Sequence, residues 1–327
     1  VRRPGPFRSV RPTLFVGLGI ALVTMSMGSG LKAWRDYQKT LEGNQAVVKA
    51  RKDLAPYWDE CLLGVKRQYS GLPSGECIHG AENGHPKVLL WGDSHAAHLM
   101  PALMEAYPDV AVYQLTMAGC PPVRGYELQV PMASKDCPDF NQRVLQEIPE
   151  LKKSGLQGVV ISARWQMYLR QRSIAVSENQ GTAFSDPHKL AQAREAMQMS
   201  FDETLTSLER AGVRVLVLPP NPETIYSPPH CIGLGRGAHC NVPREVSEAF
   251  VRDATTALAE VVARHPNTRL AQLMDFFCNA ETCYVMHNGT ILYTDENHIS
   301  ATAARDLGRF LAPDLAWLLG KPSVTTE

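Results

Sequence analysis

Short apolar runs alternate with longer amphipathic segments along most of this chain, and this alternation limits the possible folds more than any other feature. The runs predict strands at Val88–Trp91, Val110–Leu115, Gly158–Ser162, Val213–Leu218 and Arg269–Leu273. The longer segments predict helices at Ala96–Ala106, Pro138–Lys153, Pro187–Ala211, Pro243–Arg264 and Arg305–Leu319. Strands that are apolar at nearly every position are typical of a parallel sheet covered by helices on both faces. The sequence therefore predicts a three-layer α/β/α fold.

The first predicted strand leads into a motif that can carry chemistry. The run Val88–Trp91 ends at Gly92, which permits a sharp turn, and Asp93 and Ser94 follow. In parallel α/β sheets ligands bind beyond the carboxyl ends of the strands, which is where Ser94 would lie. Its own N–H and the start of the next helix favour a developing negative charge. The alternative is that Asp93 and Ser94 only cap that helix, since both residue types are favoured N-caps.

A second motif near the C-terminus supplies what a serine nucleophile needs. Asp295 stands three residues before His298, and Ser300 is a predicted N-cap of the last helix. In a tight turn this spacing lets the carboxylate hold one imidazole nitrogen while the other faces a serine. A surface turn of polar residues is the alternative. Together the two motifs predict Ser94 as nucleophile, His298 as general base and acid, and Asp295 as the orienting carboxylate.

These two motifs resemble those of the SGNH (GDSL-like) hydrolase superfamily. The chain is most similar to the SGNH domain that follows the membrane acyltransferase family 3 domain in bacterial carbohydrate O-acetyltransferases. Further matching blocks are Leu90–Ala96, Met117–Pro122 and Ser162–Trp165, and the likeness covers about residues 60 to 319. The resemblance implies a flavodoxin-like parallel sheet and the same three catalytic roles.

The resemblance also implies candidates for the oxyanion and substrate sites. Gly119 matches the glycine whose N–H donates to the oxyanion in this family. The family's Gly-x-Asn-Asp block is missing, because Ala163-Arg164-Trp165 stands in its place. Arg164 is a candidate replacement donor, while shaping the acceptor site or pairing with an acid are the alternatives. His95 and Trp165 are candidate substrate residues, and ordinary packing is the alternative for both.

The N-terminal region predicts a membrane anchor. Four arginines within residues 1–12 precede an uncharged segment that is nearly long enough to cross a bilayer. By the positive-inside tendency these arginines stay cytoplasmic and the following domain is exported. A signal peptide and a buried helix are the alternatives. We predict a basic cytoplasmic tail at 1–12, a transmembrane helix at 13–31, an exit helix and linker at 32–86, the catalytic domain at 87–320 and a tail at 321–327.

Eight cysteines indicate an oxidising compartment. They fall in neighbouring pairs, and the simplest pairing is Cys61–Cys77, Cys120–Cys137, Cys231–Cys240 and Cys278–Cys283. An even count in an exported domain indicates disulfides, and buried free thiols are the alternative. The His-Cys pairs that begin at His230 and His239 also resemble a zinc site, but oxidised cysteines cannot bind a metal. We therefore expect disulfides, no metal and a periplasmic domain.

Charge and motifs argue against other functional classes. Acidic and basic residues balance at 33 each, so no overall basic field attracts nucleic acid. Neither a Gly-x-Gly-x-x-Gly fingerprint nor a Walker loop occurs, and no cofactor is expected.

The motifs and the resemblance together predict a periplasm-facing O-acetyltransferase domain at the bacterial inner membrane. It would move an acetyl group from a donor to a cell-envelope glycan such as O-antigen, fused to or working with an acyltransferase membrane domain. By this resemblance the chain is expected to be the C-terminal part of a longer protein, or a single-pass relative. An acetyl or carbohydrate esterase would use the same residues. A non-catalytic glycan-binding domain is the third hypothesis.

Overall fold

A mostly parallel β-sheet forms the centre of the computed structural model, which describes residues 27–34, 45, 47–81, 85–125, 134–170, 187–234 and 236–321. Within these ranges its strands are β1 (Leu62–Leu63), β2 (Ile78–His79), β3 (Val88–Gly92), β4 (Val112–Met117), β5 (Gly158–Ser162), β6 (Arg214–Leu218) and β8 (Thr268–Leu270). Small antiparallel pairs join β7 (Val242–Pro243) to β9 (Thr282–Cys283), and β10 (Met286–His287) to β11 (Thr290–Ile291). Each predicted strand overlaps a strand of the central sheet.

The order of the strands reverses at β3. Strands β4, β3, β5, β6 and β8 lie side by side in that order and are all parallel. The chain therefore adds β4 on one side of β3 and later builds the other strands on the opposite side. In such sheets a ligand crevice opens beyond the carboxyl end of the strand where the order reverses. Strand β3 ends at Gly92, directly before Asp93 and Ser94. The predicted α/β fold is confirmed.

Helices connect and follow the strands: α1 (Trp58–Cys61), α2 (Ser94–Ala97), α3 (Met100–Ala106), α4 (Cys137–Lys153), α5 (Trp165–Arg170), α6 (Pro187–Arg210), α7 (Pro228–Gly233), α8 (Arg244–Val262), α9 (Met274–Phe277), α10 (Ala301–Phe310) and α11 (Ala312–Leu318). Residues 27–34 and 47–52 are also helical, and 3₁₀ turns lie at Gly75–Cys77 and Gly237–Cys240.

Two predicted helices are each broken by a proline. The sequence predicts single helices at Ala96–Ala106 and Arg305–Leu319, whereas the structure has two helices in each region. Pro101 and Pro313 lie in the first turns of α3 and α11. A proline is tolerated there because its missing N–H would be unpaired anyway, but within a continuous helix its ring would clash with the preceding turn.

The sheet separates two apolar cores. Along β3, Leu89 and Trp91 enter one core, while Val88 and Leu90 enter the other. Helices α4, α5, α6 and α8 cover the first core, and α2, α3, α10 and α11 cover the second. Both faces of the central strands are therefore buried, which explains why these strands are apolar at nearly every position. The three-layer arrangement agrees with the prediction.

The segment before β3 belongs to the sheet and not to a linker. Strand β1 pairs in parallel with β4, β2 pairs antiparallel with the same strand, and the Cys61–Cys77 disulfide joins the two. The carbonyl oxygen of Asp53 also accepts a hydrogen bond from the N–H of Ala301 at 2.8 Å. The linker predicted over residues 32–86 therefore extends too far. Strands of two residues show no alternation of apolar and polar positions, so sequence patterning misses them.

The predicted transmembrane helix at 13–31 lies outside the described residues, except for its last five positions. Residues 27–34 form an exposed helix that includes Met27, Leu31 and Trp34. None of the helices in the described ranges combines the length and the apolar character that a membrane crossing requires. The predicted tails at 1–12 and 321–327 also lie outside the description, apart from residue 321.

All the predicted disulfides are formed: Cys61–Cys77, Cys120–Cys137, Cys231–Cys240 and Cys278–Cys283. Each bridge joins segments that are close in sequence, so the disulfides brace loops. Because Cys231 and Cys240 are bonded to each other, neither is a thiolate that could bind zinc.

Candidate active site

The turn after β3 brings Ser94 to the carboxyl edge of the sheet. Gly92 has a φ angle of +152°, and a Cβ atom there would lie 1.8 Å from the carbonyl oxygen of Ser162. Only glycine fits this close approach. Asp93 caps α2, since its carboxylate accepts a hydrogen bond from the N–H of His95 at 2.7 Å. Ser94 is therefore the first residue of α2, and its N–H has no acceptor within the helix.

His298 connects Ser94 to Asp295, as the two sequence motifs predict. Its Nε2 atom lies 2.9 Å from Oγ of Ser94, and its Nδ1 atom lies 2.7 Å from Oδ2 of Asp295. A carboxylate can only accept, so Nδ1 carries the proton and Nε2 is left to accept from the serine hydroxyl. This is the hydrogen-bond sequence that activates a serine for attack on an ester carbonyl.

The turn around Asp295 keeps its carboxylate ionised. Burial by itself would raise the pKa of Asp295, but hydrogen bonds from the His298 imidazole and from two backbone N–H groups lower that pKa below its ordinary value. The Oδ1 atom accepts these backbone bonds from Asn297 at 2.9 Å and from His298 at 2.7 Å. The backbone of this turn therefore fixes the Asp295 carboxylate, and the carboxylate holds the His298 imidazole. This explains the three-residue spacing of the two residues.

Asp93 fixes the backbone next to Ser94. Its side chain is only 1% exposed and accepts hydrogen bonds from the Tyr168 hydroxyl and from the N–H of Arg164 at 2.9 Å, besides the capping bond from His95. Burial raises the pKa of Asp93, and these three donors oppose that shift. Asp93 thus ties the start of α2 to the loop after β5.

Gly119 lies where an oxyanion donor is needed. It follows β4, has a φ angle of +66°, and lines the same cavity as Ser94. Within the described residues no backbone carbonyl accepts a hydrogen bond from its N–H. The N–H groups of Ser94 and Gly119 are therefore available to a developing oxyanion.

The loop that carries Gly119 is anchored in two ways. The Cys120–Cys137 disulfide ties it to the start of α4. In the same helix the Nδ2 atom of Asn141 donates to the carbonyl oxygen of Pro121 at 2.8 Å, while its Oδ1 atom accepts from Nε1 of Trp91 at 3.0 Å. The loop that carries Gly119 is thereby fixed relative to β3, the strand that leads to Ser94.

The side chain of Arg164 forms a buried ion pair. Its Nε and Nη2 atoms donate to the two carboxylate oxygens of Glu223 at 2.6 and 2.8 Å, and the Glu223 side chain is fully buried. Burial opposes a charged guanidinium, but the bonds to Glu223 raise the pKa of Arg164. The Nη1 atom lies 3.9 Å from Sδ of Met167. Of the sequence alternatives for Arg164, the structure shows the pairing with an acid.

Two other candidate residues do not reach the cavity. Trp165 is fully buried against Phe201 and donates from Nε1 to the carbonyl oxygen of Leu218 at 2.9 Å. His95 is only 1% exposed and contacts the inner side of the turn that carries His298. A ring near the start of a helix can face outward or inward, and here tertiary packing turns both rings inward. The prediction that His95 and Trp165 are substrate residues is therefore wrong, because neither of them lines the cavity.

The cavity in front of Ser94 has a volume of about 590 Å³. One wall comes from the segment predicted as a linker and includes Trp58, Gln68 and Tyr69. The Trp58 ring meets the His298 ring edge-on, with centroids 5.4 Å apart. The remaining lining residues are Leu62, Gly64, Val65, Asp93, Ala118, Gly119, Ser134, Lys135, Asp136, Arg164, Met167, Tyr168 and Asn297. A cavity of this volume can hold a small organic molecule.

Sequence reasoning misses several polar residues that support the site. Asn221 and Glu223 follow β6 much as Ser94 follows β3, and Asn297 lies in the turn between Asp295 and His298. Because the carboxyl ends of parallel strands meet at one edge, the rule that finds Ser94 could also have found the two residues after β6. Tyr168 gives no such signal, since its hydrogen bond depends on how α5 packs.

Comparison with known proteins assigns the chain to a family. The family described as "SGNH domain (fused to AT3 domains)" matches residues 60–313. A similar solved structure, described as a platelet activating factor from Streptococcus pneumonia, has 10% identity and a TM-score of 0.40, covering 90% of this chain and 99% of that one. TesA has 16% identity and a TM-score of 0.37, covering 71% of this chain and 99% of that one. No curated protein sequence matches significantly. The chain belongs to the family of SGNH domains that are described as fused to AT3 domains.

Proposed function

We propose that this chain is an O-acetyltransferase domain that moves an acetyl group to a cell-envelope glycan through an acetyl ester on Ser94. The observation that carries the proposal is the hydrogen-bond path from Ser94 through His298 to Asp295, with distances of 2.9 and 2.7 Å. Membership of the SGNH family supports esterase or acyltransferase chemistry on such a path.

In the first half of the reaction, Oγ of Ser94 attacks the carbonyl carbon of an acetyl donor while its proton moves to Nε2 of His298. The carbonyl electron pair moves to the oxygen, which accepts hydrogen bonds from the N–H groups of Ser94 and Gly119. The intermediate collapses, the leaving group takes the proton from His298, and the acetyl ester remains. Asp295 stabilises the imidazolium between the two proton transfers.

In the second half, a sugar hydroxyl gives its proton to Nε2 of His298 and attacks the acetyl carbon. The bond to Oγ of Ser94 breaks, and the serine oxygen takes the proton back. Water in place of the sugar would release acetate, which is the esterase reaction. The same residues serve both outcomes, so the acceptor decides between them.

Two features of the site bear on the rate of the reaction and on its acceptor. The asparagine of the family's Gly-x-Asn-Asp block is replaced here by Arg164, whose side chain is held by Glu223. Loss of one oxyanion donor typically costs about 3 kcal/mol of transition-state stabilisation, which predicts slow turnover with a sugar or with water as acceptor. The cavity wall also combines the aromatic rings of Trp58 and Tyr69 with polar groups such as Lys135. Such a mixture suits a polyhydroxylated acceptor.

The proposal includes a periplasmic location and a membrane partner. The disulfides support an oxidising compartment. The family description, which couples SGNH domains with AT3 domains, supports an acyltransferase membrane domain as the source of acetyl groups. A membrane segment at 13–31 and O-antigen as acceptor are parts of the same proposal.

Turnover of p-nitrophenyl acetate with and without an envelope oligosaccharide tests the proposed function. Nitrophenol is read by absorbance, and acetate and acetylated glycan by mass spectrometry. We expect the parent to divert acetyl groups from water to the glycan. Ser94→Ala should catalyse neither hydrolysis nor acetyl transfer. Ser207→Ala, which removes a hydroxyl on α6 outside the cavity, should have the same activity as the parent. Equal turnover by Ser94→Ala and the parent rejects the acyl-enzyme, and acetate as the only product makes the chain an esterase.

A further inference from the structure

The catalytic turn is held from its inner side by two side chains that the proposed reaction does not use. The His95 ring lies under this turn, with its centroid 5.0 Å from that of the His298 ring. Nδ1 of His95 lies 3.1 Å from Oδ1 of Asn221, which follows β6. Nε2 of His95 lies 2.9 Å from the side-chain amide of Asn297, the residue before His298.

The neighbours of Asn221 fix which atom of its amide faces His95. Its Nδ2 atom donates to the carbonyl oxygens of Pro222 and Asn297 at 3.1 and 3.0 Å, so Oδ1 faces the ring. An amide oxygen only accepts, and Nδ1 of His95 therefore carries a proton. Burial, followed by the nearby His298, lowers the pKa of His95 well below its usual range. The ring is therefore neutral, and its Nε2 atom is an acceptor.

Asn297 must then donate to His95. With Oδ1 of Asn297 2.9 Å from Nε2 of His95, two hydrogen-bond acceptors would face each other. A half-turn of the amide, whose two ends have nearly the same shape, puts Nδ2 there instead. Asn297 is thereby bound twice: Asn221 holds its main-chain carbonyl oxygen, and His95 holds its side chain.

We propose that His95 and Asn221 are positioning residues that hold Asn297 and, through it, set the direction in which His298 meets Ser94. This inference rests on the proposed function and assigns part of its geometry to residues outside the cavity. The turn has a further anchor, since the N–H of Thr224 donates to the carbonyl oxygen of Glu296 at 2.9 Å. Loss of either positioning residue should therefore displace His298 without unfolding the turn.

Steady-state kinetics with p-nitrophenyl acetate test this role. A displacement of about 1 Å can cost about 100-fold in rate, so we expect Asn221→Ala and His95→Asn to lower kcat by about 10- to 100-fold. KM should stay within about two-fold of the parent, because neither His95 nor Asn221 lines the cavity. His265→Asn is the matched control: this buried histidine bonds to Asp202 and Glu209 outside the site, and its loss should leave kcat unchanged.

Conservative variants separate positioning from packing. The amide of His95→Gln reaches the position of Nε2 and can still hold Asn297, whereas that of His95→Asn reaches only the position of Nδ1. We expect His95→Gln to keep more kcat, and a role in packing alone would not order the variants in this way. Because His95 acts through Asn297, the double variant His95→Asn/Asn297→Ala should lose no more than the worse single variant. Losses that multiply would overturn the inference.

A crystal structure of Asn221→Ala tests the position of His298 independently of any activity measurement. We expect the distance between Nε2 of His298 and Oγ of Ser94 to exceed hydrogen-bond range, about 3.5 Å. A distance that stays at 2.9 Å overturns the inference even if the enzyme is active. A parent without Ser94-dependent turnover overturns the proposed function, while this distance still decides the inference. If Asn221→Ala does not fold, Asn297→Ala at a half-buried position supplies both measurements, and parent-like values overturn the inference.

Discussion

Nε2 of His298 lies 2.9 Å from Oγ of Ser94, although 204 residues separate the two in sequence. Strand β3 brings Ser94 to the edge of the sheet, and the turn before α10 brings His298 to the same edge. The contact therefore exists only when the first long strand and the last part of the domain are folded together. Its chemistry depends on the carboxylate behind the imidazole and on the loops around it.

Asp295→Asn should lower kcat by about 10,000-fold while leaving KM nearly unchanged, by analogy with the loss of an orienting carboxylate in other serine enzymes. The amide can donate to Nδ1 of His298, which favours the tautomer that cannot accept from Ser94. Steady-state turnover of p-nitrophenyl acetate measures the effect. Asp306→Asn, which removes an exposed carboxylate that pairs with Arg309, serves as control. A loss of less than about ten-fold would mean that Asp295 does not orient the imidazole.

The free energy of unfolding should reveal the lowered pKa of Asp295. A carboxyl group whose pKa is lower in the folded state stabilises the fold at pH values above its unfolded pKa, here 3.8. That contribution is lost as the pH falls through the folded pKa. The stability advantage of the parent over Asp295→Asn should therefore shrink as the pH falls from about 5 through the unfolded value. Denaturant titrations from about pH 5 downwards measure it, and an advantage that grows over this range would contradict the assignment.

Removal of the Cys120–Cys137 disulfide should reduce both stability and catalysis. The cysteines are 17 residues apart, and a bridge of this span contributes about 3 kcal/mol to the free energy of unfolding. Because Cys120 follows Gly119, kcat should fall as well. The matched control is the Cys231–Cys240 bridge, which spans 9 residues and does not line the cavity. Its double serine variant should lose stability but keep kcat, and equal kcat losses in both variants would refute a specific role for the Gly119 loop.

A chain shortened to begin at residue 87 should not fold, whereas one that begins at residue 47 should. The shorter chain lacks β1 and β2, which leaves one edge of β4 uncovered, and it lacks the cavity wall that contains Trp58. Uncovered strand edges promote aggregation. Circular dichroism and thermal unfolding of both chains measure the difference. A cooperative transition at the parent temperature in the shorter chain would show that the N-terminal segment is dispensable.

The parts of the fold that depend on local pattern could be predicted from the sequence. Strand β5, Gly158–Ser162, is predicted with its observed bounds, because burial on both faces favours the apolar run Val159–Ile161 at its centre. The hydrogen-bonded group of Ser94, His298 and Asp295 could be predicted because Ser94 follows a strand, and Asp295 and His298 hold each other within one turn. Each of these two motifs consists of residues that are close in sequence.

What the sequence could not show depends on contacts between distant segments. Arg164 forms an ion pair with Glu223, 59 residues away, and no sequence pattern in either loop predicts that pairing. The direction of the Trp165 ring is set by Phe201 on another helix. The cavity wall around Trp58 escapes prediction because the strands that place it contain only two residues each.

Mass spectrometry of the acid-quenched enzyme tests the covalent step most directly. The protein is mixed with p-nitrophenyl acetate, quenched within the first turnover and digested. We expect a single acetyl group on the peptide that contains Ser94, formed together with one equivalent of nitrophenol and absent in Ser94→Ala. Acetylation of a different residue, with nitrophenol release unchanged in Ser94→Ala, would contradict an acyl-enzyme on Ser94.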